Sequence, residues 1–167
     1  GLMEAQAYHL TTSGAGSNEE ESRIRVREDR TIARALQILQ KRASLPGEVL
    51  GGATQGALFF RLRLGGEDRE HFEVAFLNTQ FQLIAVERLF SGTIDAAEVH
   101  PRIVVQRALA HNASAVLMAH NHPSGSLQPS ASDRAVTARL KAALDTVDVR
   151  LLDHFVVTSH EVVSMAS

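Results

Sequence analysis

Two histidines one residue apart, His120 and His122, are followed after seven residues by Ser130 and after two more by Asp133. Ala115 to Ala119, just before them, are apolar, which predicts a buried strand whose end delivers both imidazoles. Side chains alternate along an extended chain, so His120 and His122 point to one side and Asn121 to the other. Pro123, Gly125 and Pro129 then force a turn. Ser130 is placed to cap a helix that Ala135, Val136, Leu140 and Leu144 continue. Asp133 falls in the first turn of that helix, where its carboxylate can swing back toward the histidines. Two nitrogens, one oxygen and a water-filled fourth position are the usual form of a catalytic zinc site. The plainer alternative makes the histidines solvated loop residues and Ser130 with Asp133 only a capping box.

The elements that must hold this cluster can be read in outline. Residues 1–22 are rich in Ser, Gly, Thr and Glu, and are expected to form a mobile tail, with Gly1-Leu2 before Met3 reading as a cloning remnant. Residues 23–50 are expected to supply an N-terminal helix and linker. Ile32, Ala35, Leu36 and Leu39 recur there at helical spacing from about Asp29 to Arg42, and Pro46-Gly47 ends the run. Residues 51–167 then form one domain. Thr54 is expected to cap a helix reaching Leu64, with Leu58, Phe59 and Leu62 inward. His71 to Leu77 and Leu83 to Phe90 read as an antiparallel hairpin, and Pro101 suits the first turn of a helix carrying Val104, Val105, Ala108 and Leu109. After the Ser130 helix come strands at Val149 to Leu152, Phe155 to Thr158 and Val162 to Met165. Strands and helices alternate in a single α/β layer system.

Bulk properties narrow the chemistry. The 167 residues leave room for one domain with a real core, and 44% hydrophobic with 22% charged residues is ordinary for a globular protein. No apolar stretch approaches the ~20 residues that span a bilayer, and no signal-peptide pattern opens the sequence, so a cytoplasmic protein without membrane contact is expected. The absence of cysteine excludes disulfides, thiolate ligands and cysteine nucleophiles. It also argues against a nucleobase deaminase, which needs a Pro-Cys-x-x-Cys ligand pair. Net charge is −2, from 17 Lys plus Arg against 19 Asp plus Glu, so no global basic field attracts phosphates. Arg23, Arg25, Arg27, Arg30 and Arg34 cluster locally, interleaved with Glu28 and Asp29, and read as a solvated mixed-charge helix face.

The full spacing His-x-His, seven residues, Ser, two residues, Asp resembles the JAMM (MPN-plus) metalloprotease signature. His120-Asn121-His122-Pro123-Ser124-Gly125, Pro129-Ser130, Gly92-Thr93, Val99-His100-Pro101-Arg102 and Leu152-Asp153-His154 are similar to the blocks of its RadC-like branch, in that branch's order. The resemblance covers about Thr54 to Met165, two thirds of the chain, in a short form without a helix-hairpin-helix domain. It implies a JAMM/MPN-like, cytidine-deaminase-like mixed sheet flanked by helices and preceded by an N-terminal helical segment. It also implies zinc on His120, His122 and Asp133. A glutamate just before the first core strand would act as general base, a place that Glu70 fills ahead of Glu67, Glu73 and Glu87. Ser130 would help stabilise the oxyanion as well as cap its helix. Ile103 departs from the family, which usually has Glu after Pro-Arg, and lies outside the metal set.

The implied function is a zinc-dependent metallopeptidase or isopeptidase acting on a peptide or protein substrate. The alternative is a DNA-repair or nucleic-acid-associated protein in which the domain binds or scaffolds, and DNA affinity would then fall steeply with salt. A metal-free scaffold is a third reading, disfavoured because all three ligands are intact. A homodimer is a reasonable expectation. Among the other histidines, His9, His71, His111 and His160 have no ligand-spaced neighbours, and His100 flanks Pro101. His154 reads as a hydrogen-bonded structural residue able to support the site.

Overall fold

The computed structural model describes residues 2–43, 49–50, 52–95 and 97–166; in the first helix, side chains are described for 16–38 and 41. The chain divides into two compact units, one up to Gln37 and one from Ile38 onward. Helix α1 runs over Leu2–Ala43. The mobile tail expected over 1–22 is therefore corrected to helix over 2–22. Ala, Glu, Gln and Arg are strong helix formers, and Glu19 with Arg23 and Glu21 with Arg25 stand at the i,i+4 spacing that favours helix. The Pro46-Gly47 stop and the Gly51 link lie outside the described residues.

The second unit contains α2 (Ala53–Leu64), β1 (His71–Leu77), β2 (Leu83–Ser91), α3 (Pro101–Ala110), β3 (Ala115–Asn121), α4 (Ala131–Thr146), β4 (Arg150–Val157) and β5 (Val162–Ser164). The five strands form one sheet in the order β2-β1-β3-β4-β5. β1 pairs antiparallel with both β2 and β3, β3 pairs parallel with β4 through the α4 crossover, and β5 returns antiparallel on β4. This is the mixed sheet flanked by helices that the sequence leads one to expect. Among the described residues, no helix is long and apolar enough to cross a membrane.

Strand parity sorts the core. Phe72, Val74 and Phe76 of β1 and Val116 and Met118 of β3 pack with Val104 and Ala108 of α3 and Val136, Leu140 and Leu144 of α4. On the opposite face α2 packs against the sheet, with Phe60 6.1 Å from the Phe155 ring. Each fully buried Phe contributes roughly 2–3 kcal/mol. A Cβ at Gly56 would stand 3.0 Å from the Phe155 ring and 3.2 Å from Leu117, so glycine permits this close approach of α2. Three details correct the sequence reading. The cap position of α2 is Gly52 and not Thr54, and α2 turns Phe59 and Phe60 inward while Leu58 is 46% exposed. Leu109 likewise faces out. Arg150–Val157 is one strand, β4, where two, Val149 to Leu152 and Phe155 to Thr158, were expected, because Asp153 and His154 keep the sheet pairing instead of breaking it.

Candidate metal centre

β3 extends through His120 and Asn121, so the strand carries the first histidine and the loop carries the second. His122 is anchored at both ends. Its amide donates to the Val157 carbonyl at 2.8 Å, and its Nδ1 lies 2.7 Å from the Ser126 carbonyl oxygen. A carbonyl can only accept, so Nδ1 carries the proton and a neutral His122 keeps its lone pair on Nε2. Gly125, which closes the turn onto the His122 carbonyl, has φ +86°, a conformation that favours glycine.

The two Nε2 atoms come 3.0 Å apart. Asp133 meets both, with Oδ1 3.0 Å from His120 Nε2 and Oδ2 3.2 Å from His122 Nε2. The expected alternatives for Asp133 turn out to be compatible. Ser130 caps α4 with its hydroxyl on the Asp133 amide at 3.0 Å, and its own amide donates to Asp133 Oδ2 at 2.7 Å. The reciprocal cap locks the carboxylate in the first helical turn with an edge toward the histidines, where the helix dipole also favours negative charge.

Glu70 completes the cluster from the other side. It immediately precedes β1, and the β1–β3 pairing sets Phe72 opposite His120. A Glu70 oxygen and ring nitrogens of His120 and His122 lie within 4.8 Å of one another, an arrangement that could hold a metal ion. The competing glutamates are engaged elsewhere: Glu73 receives Arg63 and Arg88, Glu67 pairs with Arg88 and His71, and Glu87 pairs with Arg107 and His111. Asn121, whose role the sequence left open, clamps both sides of Glu70. Its Oδ1 accepts from the His71 amide at 2.7 Å and its Nδ2 donates to the Arg69 carbonyl at 2.8 Å. Asn121→Ala takes the acceptor from the buried His71 amide and the donor from the part-buried Arg69 carbonyl, and is expected to destabilise the protein by about 1–3 kcal/mol in urea unfolding. An unchanged midpoint would deny the clamp.

Partial burial raises the Glu70 carboxyl above its ordinary value, against the pull of His120, His122 and the Ile94 amide. Burial also pushes Asp133 upward, but the His120 and His122 rings and the Ser130 amide beside it outweigh burial and hold that carboxyl well below the usual range. His122 is raised by its bond to Asp133, despite desolvation. Full burial drives His154 well below 6.5, so it stays neutral. These shifts fix a pH dependence for the metal-free protein. His122 contributes stability that is present below its unfolded value of 6.5 and lost as pH rises through its higher folded value. Well above pH 6.5 His154 is neutral both folded and unfolded and adds no slope. The metal-free melting temperature is therefore expected to fall as pH rises above about 6.5, a slope that His122→Gln removes. A flat profile would contradict the His122–Asp133 pairing.

The donor set suits a metal. A tetrahedron with bonds of ~2.0–2.1 Å has edges of about 3.3–3.4 Å, close to the 3.0–3.2 Å separations among His120, His122 and Asp133. Two imidazole lone pairs and two carboxylates crowded together also demand a cation or protons among them.

Comparison with known proteins gives the family. The sequence profile of the RadC-like JAB domain matches residues 52–167. The chain is 48% identical over 135 residues to the UPF0758 protein YeeS of Escherichia coli (strain K12), covering 81% of this chain and 91% of that protein. A UPF0758 protein of Xanthomonas campestris pv. campestris (strain 8004) is 53% identical over 120 residues, 72% of this chain and 53% of its own length. One from a Polaromonas species is 57% identical over 108 residues, 65% of this chain and 48% of its own. The chain thus spans about half the length of the latter two relatives. With a profile match across more than half of its length and such relatives, the chain belongs to the RadC-like JAB domain family.

Proposed function

We propose that this protein is a zinc-dependent hydrolase that cleaves an amide bond in a peptide or protein, as a metallopeptidase or isopeptidase. The observation that carries this reading is the convergence of two carboxylates, Glu70 and Asp133, on one pair of imidazole nitrogens at the end of β3. The kinship of JAB domains with metalloproteases supports it. His120, His122 and Asp133 would hold the metal, since Asp133 is at contact distance from both rings and locked by Ser130, and Glu70, within 4.8 Å of the ring nitrogens, would stand beside them as the base. Zinc suits a nitrogen and carboxylate set and, when bound, supplies Lewis acidity that polarises a carbonyl and lowers the pKa of water.

The chain's own groups then divide the work. Glu70, its flanking main chain held by the Asn121 clamp, takes one proton from water as the water oxygen bonds to the carbonyl carbon. Ser130 Oγ accepts from the Asp133 amide, so its own proton is available to the developing oxyanion. When the C–N bond breaks, Glu70 returns its proton to the leaving nitrogen, and the products are a carboxylate and an amine.

The test is elemental analysis of tag-free protein, followed by incubation of the zinc-loaded form with a diverse peptide library and mass spectrometry of the products. Near-stoichiometric zinc and new N- and C-termini are expected. Protein that stays metal-free after incubation with zinc would refute the proposal.

A further inference from the structure

His154 is fully buried, and its two ring nitrogens both meet polar partners. Nε2 lies 2.7 Å from His120 Nδ1, and Nδ1 lies 2.6 Å from Thr137 Oγ1. Thr137 Oγ1 is also 2.9 Å from the main-chain carbonyl of Asp133, one turn earlier in α4. The proton count decides the rest. A carbonyl has no proton and a threonine hydroxyl has one, so that proton goes to Asp133 O, and the second contact of the hydroxyl must be an accepted bond. His154 therefore donates from Nδ1. A neutral imidazole protonated at Nδ1 has a lone pair at Nε2, so His120 donates to it from its own Nδ1. The His120 lone pair is left on Nε2, the atom facing His122 and Asp133.

We propose that Thr137 and His154 form a buried relay that fixes the proton of His120 on Nδ1 and keeps Nε2 available to a metal ion, with His154 a positioning residue acting through His120. The inference rests on the metal-centre reading for its consequence, and on hydrogen-bond geometry alone for its mechanism. The reverse chain, in which Thr137 donates to His154 and His154 to His120, leaves Thr137 Oγ1 and the Asp133 carbonyl oxygen 2.9 Å apart with no proton between them, and places a proton on His120 Nε2, where it blocks a ligand position. The surroundings hold the rings in place. The Phe72 ring lies nearly parallel to His120 at 6.5 Å and takes the His154 ring edge to face at 5.5 Å. Asp133 is thereby tied to His120 twice, directly through its carboxylate and through Thr137 by its main chain. His122 reaches the same tautomer by a separate route, the Ser126 carbonyl. Partners of this kind orient ligands and tune their basicity, and their loss typically costs ~10–100-fold in metal affinity.

The experiment pairs zinc titration against a competing chelator with ring-nitrogen NMR. Thr137→Val, which preserves shape, and His154→Leu are each expected to weaken zinc binding by about 10–100-fold. Thr137→Ser keeps the hydroxyl, and His154→Gln offers an amide oxygen to His120, so both are expected to restore most of the affinity. In metal-free wild-type protein the His154 proton must be found on Nδ1. Zinc affinity unchanged in folded Thr137→Val, or a His154 proton on Nε2, overturns the relay. A loss of melting temperature with no loss of affinity does so as well. If His154→Leu does not fold, the Thr137 pair still decides. Wild-type protein that binds no zinc defeats the hydrolase reading, while the NMR measurement still tests the relay.

Discussion

Replacing Asp133 by asparagine is expected to cut zinc affinity by more than ~100-fold, beyond what partners outside the ligand set supply. The protein should stay folded. An asparagine oxygen can still accept from the Ser130 amide, and the Ser130 hydroxyl can still accept from the residue 133 amide, so the cap that starts α4 survives. What disappears is the negative charge between His120 and His122. Asp133→Ala removes the ligand and the carboxylate half of the capping box, leaving the Ser130 amide without its acceptor, and should cost about a further 1 kcal/mol of stability. The measurement is chelator competition beside urea unfolding for both variants. Wild-type zinc affinity in Asp133→Asn would show that the carboxylate serves only as a cap.

The second large effect is expected at Glu70 and should separate chemistry from binding. Glu70→Gln keeps size and hydrogen bonding but cannot take a proton. Zinc should remain near stoichiometric while amide hydrolysis falls ~10²–10⁴-fold, the usual contribution of a positioned acid–base group. Glu67→Gln is the matched control, because Glu67 is committed to Arg88 and His71 on the surface and should leave turnover near wild type. Loss of zinc in Glu70→Gln would instead make Glu70 a ligand. Undiminished hydrolysis would move the base elsewhere.

Much of this centre was legible along the chain because its parts are local. The His-x-His pair, the turn residues, Ser130 as cap and Asp133 in the first helical turn all sit within 14 consecutive residues, His120 to Asp133. Alternation on a strand and the 3.6-residue turn of a helix set their directions without help from distant segments. The capping box was legible for the same reason. The helix faces were read less well. Leu58 and Leu109 belong to apolar clusters at helical spacing, yet neighbouring residues took the buried positions, since the sheet's shape selects which part of a wide apolar face it covers. The low-hydrophobicity stretch before Ser22 carries no core-forming pattern that would mark a helix in the sequence, yet α1 runs through it.

The sequence by itself determined the donor types, their spacing and the two elements that present them, because those depend on contacts a few residues apart. Only the tertiary structure decided which glutamate joins them. Glu70 is 50 residues before His120 and reaches it because β1 pairs antiparallel with β3 in one register, and Asn121 pins that register at Arg69 and His71. A slip of one residue would have turned the strand over and sent the wrong carboxylates inward. The tertiary structure also decided His154. Val116 pairs with Leu151 but Leu117 with Asp153, so one extra residue in β4 inverts its alternation there. Leu151 and His154 consequently share the α4 face, and His154 meets His120 and Thr137 where strict alternation would have turned it away. Register and bulges arise from pairing between distant strands, and no local periodicity records them.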